Sequence, residues 1–375
     1  MAGLYIHIPF CKQACYYCDF HFSTSQDLKD DLVNSLCSEI EMQKNYLQGE
    51  KINTIYFGGG TPSLLSVHHL QILFDAVNKN FTVNSPEVTL EANPDDLSKE
   101  NLEMFKTIGI NRLSIGIQSF DNRILKFLNR AHSSHDALLC LERARQAGFN
   151  NISIDLIYAI PGQNDDLLKH NINQVVAIAP EHISSYSLTI EEKTVFGKQK
   201  KKGIFPVENE ESAAAQMEIL MEELGKAGFE QYEISNFCKP GFYSRHNTSY
   251  WQQKKYLGIG PSAHSYNGSS RQSNISNNSL YIKSIAQGKI PSEVEVLTYA
   301  NKINEYLFTT LRTTWGCNLN YLSEQLNYDV LKENQKEVDA LLKHEFIILE
   351  NNIMRLTQKG KLLADKIASD LFTKE

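Results

Sequence analysis

The chain has 375 residues, 42% of them apolar and 22% charged, with a formal net charge of −7 and a pI near 5.9. That length predicts about two domains, or one barrel of ~250 residues with an appendage, and supplies ample material for a core. The acidic balance excludes a nucleic-acid footprint at the level of the whole chain, and no run approaches the ~18 apolar residues that a membrane-spanning helix needs.

Met1-Ala2-Gly3-Leu4 has no basic lead, and the short apolar run meets His7, Pro9 and Cys11 almost at once, so no signal peptide is expected. Leu4-Tyr5-Ile6-His7-Ile8 reads as a strand, and Cys11, Cys15 and Cys18 follow it in a short loop. With 7 Cys in the chain, three at set offsets arise by accident roughly 2 times in a thousand. Three thiolates are one short of the closed four-ligand set of a structural zinc or a ferredoxin cluster. A four-iron cluster on three Cys leaves one iron open to bind something else. Zinc, or a disulfide plus a spare thiol, are the alternatives for the trio. Free thiols suit a reducing interior, and the expected location is cytoplasmic.

Residues 27–46 read as a helix, with Leu28, Leu32, Leu36 and Ile40 on one face at four-residue steps. A strand over 51–57 runs into Gly58-Gly59-Gly60-Thr61-Pro62, and 64–77 is again helical. A strand over 87–92 ends in Asn93-Pro94, a helix covers 97–108, and a strand over 112–117 ends at Gln118-Ser119. Helical segments near 121–128 and 134–147 precede a strand over 152–158, a helix over 165–179 and a sixth strand over 182–190. Six alternations of strand and helix predict an α/β fold with a parallel sheet and crossover helices. Polar or glycine-rich residues close each strand, as in barrels whose sites lie at the C-terminal strand edge.

Lys198-Gln199-Lys200-Lys201-Lys202 reads as a solvated charge run in a loop. Residues 209–226 form an amphipathic helix whose Met217, Leu220, Met221 and Leu224 stripe core packing explains. From 233 to 287 the pattern is irregular, and a connection that long is usually functional or a lid. Helices over 298–311, 319–326 and 333–343 follow. A hairpin over 346–349 and 353–356 comes next, then a last helix with Leu363, Ile367 and Leu371 on one face. The division expected is a partial barrel over 1–232, an irregular connection over 233–291 and a small α+β domain over 292–375. That tail resembles a winged helix, but it is not notably basic, and fold alone does not assign a function. Cys37 and Cys140 fit small buried hydrophobes on helices, while Cys238 and Cys317 suggest no role.

Cys11-x3-Cys15-x2-Cys18 after a strand resembles the signature of the radical S-adenosylmethionine (SAM) superfamily. The resemblance implies an incomplete (β/α)6 TIM-like barrel, a [4Fe-4S] cluster on these three Cys, SAM on the open iron and an electron donor to the cluster. The glycine run resembles the family motif that binds the methionine amino group, here Gly59, Gly60 and Thr61. Tyr5 and Tyr17 stand where the family keeps aromatics near SAM, Tyr17 beside the adenine. Glu91 would accept from the ribose hydroxyls or the amine. Gln118, Arg130 and Asp155 match positions that hold a second SAM in the oxygen-independent coproporphyrinogen III oxidases. Whether one or two SAM bind stays open.

Over nearly the entire chain the resemblance is to that oxidase family and its HemW-type relatives. Two departures favour the second branch: Cys18 is followed by Asp19-Phe20 rather than by a further x-Cys, and no extension precedes the first strand. His246-Asn247-Thr248-Ser249-Tyr250-Trp251 resembles the H-N-x-x-Y-W motif of that branch, whose members are regarded as heme chaperones. The resemblance implies heme, with His246 as an axial imidazole and Tyr250 and Trp251 as apolar faces. Packing of His246 against the barrel is the alternative, and His264 would lie near SAM. The expected function is a heme chaperone that hands heme to acceptor proteins not specified by the sequence. The rival is oxidative decarboxylation of coproporphyrinogen III propionates.

Overall fold

A computed structural model describes residues 2–206 and 210–374. The first half alternates strand and helix: β1 (Ala2–Ile8), α1 (Lys29–Met42), β2 (Ile52–Gly59), α2 (Val67–Asn80), β3 (Val83–Ala92) and α3 (Lys99–Thr107). It continues with β4 (Arg112–Gln118), α4 (Asn122–Phe127), α5 (Ser134–Gln146), β5 (Ile152–Tyr158), α6 (Asp165–Ile178) and β6 (His182–Ser187). Every residue of β1 but Tyr5 is buried, as a parallel strand covered on both faces requires. Helix starts are set locally. Ser133 and Asp136 close a capping box at α5, and the Asn164 side chain accepts from the Leu167 N–H at α6.

Two more helices, α7 (Val195–Lys201) and α8 (Glu210–Lys226), and the strands β7 (Glu230–Glu233) and β8 (Asn236–Cys238) finish this half. The lysine run read as a loop lies mostly on α7, whose first turn the Thr194 side chain caps at the Gly197 N–H. Asn209, the expected first residue of α8, lies outside the described residues.

The stretch read as irregular is ordered into α9 (Arg245–Trp251), β9 (Tyr256–Ile259), β10 (His264–Tyr266), β11 (Ser270–Asn274) and α10 (Asn278–Ala286), and β12 (Ser292–Val296), assigned by the expected division to the tail domain, joins the same sheet. These strands are only three to five residues long, and β10 and β11 are polar, too little for a periodic pattern to stand out. β9 lies parallel to β1, with Tyr5 opposite Gly258. One twelve-stranded sheet results, in the order β12-β11-β10-β9-β1-β2-β3-β4-β5-β6-β8-β7. Its seven parallel strands, β9 and β1 to β6, form the open barrel wall, and antiparallel strands extend both edges. The wall is parallel, as the alternation predicted, and the barrel is incomplete, as the family resemblance implied.

The tail comprises α11 (Tyr299–Leu311), β13 (Cys317–Asn318), α12 (Leu319–Leu326), α13 (Val330–Glu333), α14 (Gln335–Lys343), β14 (Ile347–Glu350), β15 (Ile353–Leu356), α15 (Gln358–Lys361) and α16 (Ala364–Asp370). Its three strands form a separate antiparallel sheet, and Ile303, Leu307, Met354 and Ile367 belong to a second hydrophobic core. Arg312 fastens it to the barrel side, bonding Glu233 at 3.0 Å, pairing with Asp365 and lying over the Trp251 ring.

One buried carboxylate fixes the turn between β9 and β10. Glu39 on α1 accepts from the Gly260 N–H at 2.8 Å, Asn274 Nδ2 at 2.7 Å and the Tyr281 hydroxyl. Glu39→Ala leaves those donors buried without an acceptor. The expected loss is about 3–5 kcal/mol of stability, read by urea unfolding. A loss below 1 kcal/mol would mean that water replaces the carboxylate.

Candidate functional site

The three-thiol loop joins β1 to α1 and is stitched down along its length. The Cys11 N–H donates to Ser23 O at 3.0 Å, and the Ser23 N–H returns a bond to Pro9 O at 2.8 Å. Asn129 Nδ2 reaches Ala14 O at 2.7 Å, the Tyr16 N–H reaches Leu128 O, and Lys12 pairs with Asp95 and Asp96. The loop conformation is therefore set by the protein. Cys11, Cys15 and Cys18 are free and half-buried.

Two of the sulfurs already receive hydrogen bonds. Thr61 Oγ1 donates to Cys11 Sγ at 3.5 Å, and Arg130 Nη1 donates to Cys15 Sγ at 3.3 Å. Asn93 connects these donors: its Nδ2 gives to Thr61 Oγ1 at 3.1 Å, and its Oδ1 accepts from Arg130 Nη2. Cys11, Thr61, Asn93, Arg130 and Cys15 thus form a chain of hydrogen bonds between two thiols. Asn93 is the member that sequence reading missed, although the Asn93-Pro94 strand end marked the place. Arg130 Nη2 also donates to Gly116 O at 2.6 Å, and Nη1 lies 3.5 Å from the Tyr17 hydroxyl.

Burial pushes the Cys18 thiol up to about 12, with the neighbouring Cys15 and Cys11 adding to the shift, and burial also raises Cys11. Thiols so placed favour the protonated form until a cation group takes the charge. Among the described residues no group of His, Cys, Asp and Glu is placed to hold a single metal ion. The free thiols, with a guanidinium and a hydroxyl already bonded to two of them, fit the [4Fe-4S] cluster that the resemblance implies.

Beside the thiols, the strand ends build a polar floor. Gly59 takes φ +107°, and a Cβ there would stand 2.4 Å from the His7 ring. A Cβ on Gly60 would meet Ile8 O and Phe10 N at 2.8 Å, so both glycines are required by close packing against β1. Glu91 accepts from the Gly59 N–H at 3.1 Å and from the Tyr56 hydroxyl at 2.8 Å. Burial, with Asp155 nearby, raises the Glu91 carboxyl to about 7 against the bonds from Tyr56 and Gly59. Asp155 lies in register with Gly116 and Ser184, within 3.4 Å of the Ser114 hydroxyl, and burial raises it to about 6. Gln118 ends β4 at φ +67°, its amide against Gly116. The strand ends therefore bring Gly59, Thr61, Glu91, Gln118, Arg130 and Asp155 to one edge of the sheet.

A cavity of about 410 Å³ adjoins this floor at Tyr5 and His7 and lies between the thiol loop, the β9–β11 extension and α11. Tyr5, Phe20, Tyr250, Trp251, Tyr256 and Tyr266 give it aromatic walls, and Lys254, Arg271 and Glu305 put charge at its lining. Tyr5 donates to His7 Nδ1 at 3.0 Å, so the site expected for it beside SAM is also the wall of this cavity.

His246 is placed differently from the ligand role expected for it. Its Nδ1 lies 2.8 Å from Thr54 Oγ1 and its Nε2 lies 2.7 Å from the Tyr250 hydroxyl. The ring is 1% exposed and stacks on Tyr56 with centroids 5.0 Å apart. Both nitrogens are engaged inside the protein, so as folded the packing alternative describes this residue. The motif positions Tyr250 and Trp251 on the cavity while its histidine faces the barrel.

The radical SAM superfamily profile matches residues 5–175. A heme chaperone HemW of Bacillus subtilis is 38% identical over 372 residues, covering 98% of both chains. The heme chaperone HemW of Lactococcus lactis is 35% identical, covering 97% of this chain and 95% of its own. Among solved structures, the radical SAM enzyme coproporphyrinogen III oxidase (HemN) of Escherichia coli superposes with a TM-score of 0.86. It covers 99% of this chain and 90% of that one at 22% identity, a likeness of fold.

Proposed function

We propose, from the premise that this chain belongs to the HemW family of the radical SAM superfamily, that it binds heme and transfers it to acceptor proteins. The observation that carries this reading is the aromatic cavity, whose lining includes Asp19 and Phe20 directly after Cys18. Such a cavity suits a flat apolar macrocycle with charged edges.

Cys11, Cys15 and Cys18 would hold the [4Fe-4S] cluster, which, fed by an external electron donor, supplies one-electron chemistry to bound SAM. Arg130 and Thr61 lower the negative charge on two of the sulfurs. The backbone at Gly59 to Thr61 would hold the methionine end of SAM, Glu91 would accept from its ribose hydroxyls or its amine, Tyr17 would stand beside the adenine, and Gln118 and Asp155 would serve further polar groups. The reading carries cargo through the cavity without changing the tetrapyrrole. Among the described residues no helix is long and apolar enough to cross a membrane.

The test is anaerobic incubation of cluster-loaded protein with coproporphyrinogen III, SAM and a reductant, beside a hemin titration. We expect a saturable Soret band on hemin addition and no protoporphyrinogen beyond one equivalent per chain. Multiple turnovers to protoporphyrinogen would replace the chaperone reading with the decarboxylase one.

A further inference from the structure

Resting on the heme-carrying reading above, we infer that hemin seats in the aromatic cavity with His264, and not His246, as the protein ligand to its iron. Four histidines lie on or beside this cavity, and the structure separates them by what their rings already do. His7 takes the Tyr5 hydroxyl on Nδ1 and reaches His21 O with Nε2 at 2.9 Å. His21 Nε2 is held by Asn278 Oδ1 at 2.7 Å, and His246 is closed by Thr54 and Tyr250. His264 is exposed, lines the cavity, and has no hydrogen bond to its ring among the described residues. A neutral imidazole with an unengaged nitrogen is what ferric or ferrous heme iron takes up.

The neighbours suit the rest of the ligand. His264 and Tyr266 share a face of β10, and Arg271 pairs directly across from Tyr266 on β11. Arg271 bonds Glu305 at 2.9 Å, which leaves other guanidinium donors for a propionate at the same wall. Tyr256 packs edge-to-face on Tyr250, centroids 4.5 Å apart, and lies tilted 6.3 Å from Tyr266, so the wall is aromatic but not flat. The buried Trp251 Nε1–H, also on the cavity, has no acceptor among the described residues. Glu39 holds the turn at Gly260, four residues before His264, through the Gly260 N–H and Asn274 Nδ2.

The experiment titrates cluster-loaded full-length protein with hemin and, separately, with iron-free protoporphyrin IX, following the Soret region and resonance Raman. His264→Ala is expected to lower hemin affinity about 10–100-fold and to lose the nitrogen-ligated spectrum, with added imidazole restoring it. Protoporphyrin IX affinity should change less than about threefold, because no iron bond is at stake. His264→Tyr should give a phenolate-ligated spectrum, and His246→Gln should keep the wild-type band positions even where it lowers affinity. Unchanged hemin spectra in His264→Ala, or equal losses for both porphyrins, would overturn the assignment while leaving the chaperone reading intact. Wild-type protein that shows no Soret band at all would remove both.

Discussion

Cys15→Ser is expected to strip the protein of its cluster, lowering iron and acid-labile sulfide per chain by at least about tenfold. Serine offers an alcohol of high pKa in place of a thiol whose sulfur already carries the Arg130 Nη1 bond at 3.3 Å. A shorter, harder oxygen sits too far back and gives up its proton less readily, so the third corner of the site opens. The fold should survive. The loop is held by the bonds of Cys11 N–H, Tyr16 N–H and Asn129, none of which uses the Cys15 side chain. Unfolding of the metal-free variant should stay within about 1 kcal/mol of the metal-free parent. Cys140→Ala serves as the control, since that thiol is buried on α5 beside Ala137 and Leu141, away from the loop, and its loss should leave the iron count alone. A full iron count in Cys15→Ser would refute the ligand assignment.

The barrel was legible because each strand keeps an apolar set and ends in punctuation, and the helices between them carry a stripe. The thiol spacing was legible because Cys is rare enough for three at fixed offsets to mean something. What failed to show was of another kind. β9 to β12 are short, and they are held by the pairing of β9 on β1 and by Glu39, a residue more than two hundred positions earlier. Asn93 acts by linking Thr61 to Arg130, a relation between two strand ends and the α4–α5 connection that no local pattern encodes. His246 shows the converse. Its motif drew the eye to an imidazole, yet the fold spends both nitrogens on Thr54 and Tyr250 and exposes His264 instead. Sequence can nominate a ligand type, but whether a nitrogen is free depends on contacts between distant segments.

Glu91→Gln is expected to make the ligand-free protein more stable at pH 8 while weakening its hold on SAM. The Glu91 carboxyl is raised from 4.5 to about 7, chiefly by burial and then by Asp155. Between those values the folded protein holds a proton that the unfolded chain releases. Stability therefore falls as pH rises through that window. Above pH 7 the carboxylate destabilises the empty fold by about 3 kcal/mol, and below pH 4.5 it costs nothing. Asp155, raised to about 6 from 3.8, adds a loss of the same sign at slightly lower pH. Glutamine keeps both present contacts: its oxygen accepts from the Gly59 N–H, and its amide donates to the Tyr56 oxygen. The substitution thus removes the charge and little else, so urea unfolding should show a gain at pH 8 that shrinks toward pH 5. A cationic amine or ribose hydroxyl that meets Glu91 would lose a charge-assisted acceptor, and SAM affinity by calorimetry should drop about 10–100-fold. A gain of equal size at both pH values would show that the carboxyl is not titrating in the fold. Unchanged SAM affinity would take Glu91 out of the binding edge. A carboxylate that strains the empty barrel and is relieved by its ligand explains why an acid stands where glutamine would pack as well.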